Sequence, residues 1–125
     1  MIGFILSLLT ISTLSNAQSC GGTSPIEIQG FLSVHNNLRS SISAGTYVAK
    51  GRNMPPAKTS IPNLTWDCNL ERSAQTVANS CVFAHSSGRD NVGENLLCQD
   101  NKQVLTVCHY SPAGNFLNTN VYDPK

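Results

Sequence analysis

The chain has 125 residues, with eight Lys and Arg against seven Asp and Glu, for a formal net charge of +1. That balance excludes the electrostatic footprint of a nucleic-acid or anionic-membrane binder. With 40% hydrophobic residues the chain can build a core, and five cysteines leave at least one without an intrachain disulfide partner.

Residues Ile2 to Leu14 form an apolar run followed by Ser15, Asn16 and Ala17. The run falls short of the roughly 20 residues that span a bilayer. Residues 1–17 are therefore expected to be a signal peptide cleaved after Ala17, leaving 18–125 as a single mature domain. No second run of membrane length follows, so the expected product is soluble, secreted and extracellular, without membrane insertion. Cys20, Cys68, Cys81, Cys98 and Cys108 then pass through an oxidising compartment and are all disulfide candidates. Two disulfides plus one free thiol is the largest intrachain set, and the pairing stays open.

Ser24-Pro25-Ile26-Glu27 reads as a helix start with a capping box. Ile28, Phe31, Leu32, His35, Leu38 and Ile42 follow on one face, and the helix should fade between Ser43 and Gly45. His35 is expected to pack on that helix with its polar tip satisfied. Lys50 to Pro62 is a connection, because Pro55, Pro56 and Pro62 forbid a regular helix. Asn63-Leu64-Thr65 is a glycosylation acceptor, with Asn63 the candidate. Leu64 and Trp66 should return the chain to the core. Asp67 caps a second helix carrying Leu70, Ala74, Val77, Ala78 and Cys81, with Glu71 near its positive end.

Ser86 to Asn91 is expected to be a polar loop. His85 and Glu94 flank it, close enough in sequence to fold together and orient a water, share a proton or offer two metal ligands. Gln103 to Tyr110 is rich in β-branched residues and reads as a strand. Ser111 to Asn115 is a turn, and Phe116 to Tyr122 is the expected partner strand. The order, helices first and a small antiparallel sheet last, predicts an α+β or α-β-α domain. Phosphate loops, serine elbows, C-x-x-C pairs and zinc-protease motifs are absent, and no helical or loop spacing pairs any of the three histidines.

Five ordered segments carry a resemblance: LSVHNNLR (32–39), LTWDCNL (64–70), ANSCVFAHS (78–86), VGENL (92–96) and VCHYSPAGNFLNTNVY (107–122). Together they resemble the CAP superfamily of cysteine-rich secretory, antigen-5 and pathogenesis-related-1 proteins, in its nematode venom-allergen-like flavour. The resemblance implies an α-β-α sandwich with a cleft of two histidines and two acids that binds zinc in some members. It makes His85 and Glu94 the residual cleft. His35, Asn36, Arg39, Tyr110, Gly114 and Asn115 become structural signature positions. The segment carrying the second acid and second histidine is missing between Glu94 and the final strand, near residues 98–103, so the sandwich should be incomplete. His109 stands where the family more often has Asn and is not taken as the lost ligand. No cofactor is expected, and His85 with Glu94 should hold a metal weakly at best. The implied function is non-enzymatic binding of an extracellular protein, in host-parasite or defence-related interaction. The alternatives are a small-lipid carrier and a non-functional short isoform.

Overall fold

The computed structural model describes residues 19–20, 22–99, 104–114 and 118–125. The expected signal peptide and Asn115 lie outside the described residues. Helix α1 (Pro25–Ala44) begins as the sequence dictates: Ser24 accepts from the Glu27 amide, and the Glu27 carboxylate accepts from the Ser24 amide. It ends at Gly45, whose φ of 71° is left-handed. A side chain there would bring its Cβ within 2.9 Å of Pro56, so only glycine fits. Lys50–Pro62 contains no helix, but its first residues close a small hairpin between β1 (Val48–Ala49) and β2 (Arg52–Asn53).

Helix α2 (Cys68–Asn79) is capped by the Asp67 carboxylate, which accepts from the amides of Asn69 and Leu70. Strands β3 (Gly93–Gln99) and β4 (Val104–Tyr110) then form an antiparallel ribbon. This corrects the expected partner strand at Phe116 to Tyr122: residues 118–122 are turn and bends, and β4 pairs with Gly93–Gln99 instead. The physical reason lies in Gly93–Gln99 itself, where alternate residues are half-buried and exposed, the period of a one-sided strand. The C-terminal residues instead form a strap over the Pro-rich connection. Lys58 N–H donates to Asp123, Lys125 N–H to Pro56 and the Tyr122 hydroxyl to Pro55.

The register pairs Glu94 with His109 and Asn95 with Cys108, which places neighbouring pairs on opposite faces of the ribbon. His109 meets Ser73 of α2, whereas Tyr110, on the other face, meets His35 of α1. The ribbon thus lies between the two helices, an α-β-α arrangement. The same register puts Cys98 and Cys108 on opposite faces, so they cannot bond to each other. One disulfide forms, Cys20–Cys68, and Cys81, Cys98 and Cys108 are free thiols. The expected maximum of two disulfides is not reached.

The apolar core is thin. Among the described residues Ile28, Ala57 and Ala74 are the buried hydrophobic side chains, while Phe31 and Leu38 of the expected core face of α1 remain partly exposed. Polar contacts carry much of the attachment of α1. Asn36 donates to the Leu64 carbonyl and accepts from the Leu64 amide, and Arg39 donates to the Pro62 carbonyl. Asn36 and Arg39 therefore clamp α1 to the backbone of Pro62 and Leu64. Asn36→Ala leaves both Leu64 groups unpaired and should cost about 1–3 kcal/mol. Asn36→Asp retains the acceptor and should recover part of that loss in urea denaturation.

Candidate functional site

Glu94 is the centre of the polar site. Its side chain is fully buried, on the ribbon face turned toward the 85–89 loop. His85 Nδ1 lies 2.8 Å from Oε1, and the Ser86 amide donates to the same oxygen at 3.0 Å. The Ser86 hydroxyl donates to Oε2 at 2.8 Å, and Arg89 forms an ion pair with Oε1. His109 Nε2 completes the shell at 2.9 Å from Oε2. A carboxylate only accepts, so both imidazole nitrogens facing it carry the proton. Burial raises the Glu94 pKa, but the bonds from His109, Ser86 and His85 outweigh it and hold the group down at about 2, against an ordinary 4.5.

The sequence reading brought His85 and Glu94 together, and the structure does so. His109, which the resemblance does not make a ligand, and Arg89, which no motif marks, join them. His109 belongs to the site because strand register places it directly across from Glu94, and its side chain is 3% exposed against 63% for His85. No helical or loop spacing brings the histidines together; His85 and His109 meet only through Glu94, the latter by cross-strand register that chain spacing does not show. His35 stands apart. Its Nδ1 contacts the Phe31 carbonyl and its Nε2 the Tyr110 hydroxyl, so its polar tip is satisfied as expected. Burial, first among its causes, pushes the Tyr110 hydroxyl pKa up to about 12. Gly114 is exposed, and the amide of neighbouring Ala113 donates to the Asn91 carbonyl.

Ser73, His109 and Glu94 stand in a hydroxyl–imidazole–carboxylate series, with Ser73 Oγ 2.7 Å from His109 Nδ1. The Ser73 hydroxyl also reaches the Leu70 carbonyl of its own helix at 3.0 Å, and it has one proton to give. With the imidazole buried, the series ties α2 to the ribbon. The donor set does not suit a tightly held metal either. Both Glu94 oxygens are already engaged, one by the Arg89 cation, and no group of three or more His, Cys, Asp or Glu among the described residues is placed so that it could hold a metal ion. Zinc titrated into the protein should bind no tighter than high micromolar. Calorimetry giving a one-to-one, sub-micromolar isotherm would contradict this.

A second buried carboxylate, Glu71, was read from sequence only as a favourable charge in the first turn of α2. It is 7% exposed and accepts from the amides of Cys20, Gly22 and Thr23 and from Trp66 Nε1. No sequence signal marks it, since three of its four partners are amides in an irregular segment some fifty residues earlier.

Residues 32–120 match the model of the cysteine-rich secretory protein family, CAP. The Ancylostoma secreted protein of Ancylostoma caninum is 44% identical over 53% of this chain and 16% of its own length. Venom allergen 3 homolog of Dinoponera quadriceps is 34% identical over 68% of this chain and 38% of its own. The chain thus spans well under half of these curated relatives. The solved structure of BmVAL-1 superimposes with a TM-score of 0.76 at 23% identity, covering 86% of this chain and 88% of that one, which establishes a shared fold.

Proposed function

Because the chain belongs to the cysteine-rich secretory protein family and resembles its secreted, venom-allergen-like members, we propose that it acts outside the cell by binding a protein partner, without catalysis. The observation that carries this reading is the saturation of Glu94. Both carboxylate oxygens are spent on holding the 85–89 loop and, through His109 and Ser73, α2 to the ribbon. Host-parasite or defence-related recognition is the setting this reading favours. Residues 1–17 serve as the export signal in it, and exposed Asn63 carries a glycan. The domain is shortened near residues 98–103 relative to a full sandwich.

The test is direct. Purified protein should show saturable binding to intact cells or tissue, and His85→Ala should leave it unchanged. Hydrolysis of casein or a nitrophenyl ester that disappears in Ser73→Ala would replace this reading with an enzymatic one. A small-lipid carrier is the second reading, favoured by a cavity of about 290 Å³ whose lining includes Phe31, Leu32, Leu64 and Leu70. Saturable uptake of a fluorescent fatty acid at one site would support it.

A further inference from the structure

The cavity between α1, α2 and β4 has an unusual wall. Its lining includes every residue from Leu105 to Tyr110. Successive side chains of a strand point to opposite faces, so a space touched by six residues in a row runs along the strand's edge. Among the described residues β4 pairs with β3 alone, and no loop or turn bonds to the backbone of its other edge. The outward N–H and C=O groups of alternate β4 residues therefore border this space. Phe31 and Leu32 approach it from α1, and Leu70 and Ala74 from α2.

The charge of the lining is one-sided. Glu27, Asp67 and Glu71 line it and, among the described residues, no Lys or Arg does. These acids cluster where the two helices begin, since Glu71 of α2 bonds the amides of Gly22 and Thr23 just before α1. Two helix N-termini contribute roughly half a positive charge each. That offsets about one of the three negative charges, so this end stays net negative.

We propose that the space is a strand slot. It takes an extended, mostly apolar segment of another polypeptide, which adds to the free edge of β4 as a third strand and carries a Lys or Arg at the end beside the first turns of α1 and α2. A strand covered by helices on both faces is apolar almost throughout, not alternating. β-Strand addition draws affinity from main-chain hydrogen bonds, and side chains set its preference. A second copy of the ribbon is a poor occupant, because its own flanking helices would meet α1 and α2. The proposal rests on the reading that the protein works by binding, and it specifies the chemistry of what is bound.

The probe is a fluorescein-labelled peptide, acetyl-Lys-Val-Ile-Val-Val-Ile-Thr-amide, titrated with the whole secreted chain and followed by anisotropy. Two controls carry N-methyl groups on alternate amides, one in each phase. One of the two should bind at least about tenfold more weakly, because several main-chain bonds are lost. Replacing the peptide lysine with glutamate should also weaken binding, more so at low salt. Ala78→Trp, which fills the lining, should abolish capture with an unchanged circular dichroism spectrum. If that variant misfolds, the N-methyl comparison on the unaltered protein still decides. Equal binding of all three peptides, or their complete displacement by palmitate without any N-methyl effect, would reduce the slot to a general apolar pocket and overturn the proposal. Self-association that the peptide does not compete with, and no capture, would overturn it in favour of a second copy. Absent peptide capture alongside intact cell binding would remove the slot and leave the proposed function standing.

Discussion

Replacing both Cys20 and Cys68 with serine is expected to destabilise the protein by more than about 4 kcal/mol. The bond closes a loop with a sequence separation of 48, and the chain-entropy model assigns about that much to a loop of this length. The expected consequence is larger than unfolded-state entropy alone, because the crosslink is coupled to Glu71. The Cys20 amide is one of the four donors that Glu71 holds, and the crosslink anchors Cys20 to the first residue of the same helix. Glu71→Ala strands three amides and the Trp66 indole N–H, at about 3 kcal/mol. In a double-mutant cycle the two losses should fall short of additivity by about 1 kcal/mol or more. Urea denaturation of the four proteins gives the coupling, and strictly additive losses would show that the two features hold the segment independently.

The parts of the fold legible in the sequence were those with local causes. Ser24 and Glu27 announce a capping box, Asp67 announces a cap, and both occur where the spacing predicts. The strand at Val104–Tyr110 follows from its β-branched residues. Its partner did not, because Gly93–Gln99 contains glycine, glutamate and asparagine and lacks β-branched residues. Register with β4, not propensity, makes it a strand. The site divides the same way. His85 and Glu94 were found through the short loop between them and through the resemblance. His109 and Ser73 were not, because their approach to Glu94 requires the cross-strand register and the docking of α2. Glu71 shows the limit most clearly. A glutamate in the first turn of a helix is ordinary, and its burial depends on an N-terminal segment brought back by a disulfide that the sequence left unpaired.

Removing Glu94 should be as damaging as removing Glu71, for a different reason. Glu94→Ala leaves the Arg89 guanidinium without its counter-ion, and the Ser86 amide and the buried His109 Nε2 without their acceptor. Breaking a buried ion pair by deleting one partner costs about 3–5 kcal/mol. Glu94→Gln keeps the shape but turns an NH₂ group toward a donor, so it should recover little. The neighbours should rank by burial: His109→Ala should cost more than His85→Ala, whose ring is 63% exposed. Acid adds a second, independent check. The Glu94 and Glu71 carboxyls both sit at about 2, below their ordinary 4.5. For each, burial works upward, and the hydrogen bonds that favour the charged form prevail. A depressed carboxyl contributes stability that is complete above about pH 4.5 and is lost as pH falls toward 2. Wild-type stability should therefore drop steeply across that window. Glu94→Gln should flatten the drop and, with Glu71→Gln, nearly remove it, while above pH 5 the double variant is simply less stable throughout. Urea midpoints measured from pH 2 to 7 test this, and a wild-type drop that persists undiminished in the double variant would place the acid sensitivity elsewhere in the chain.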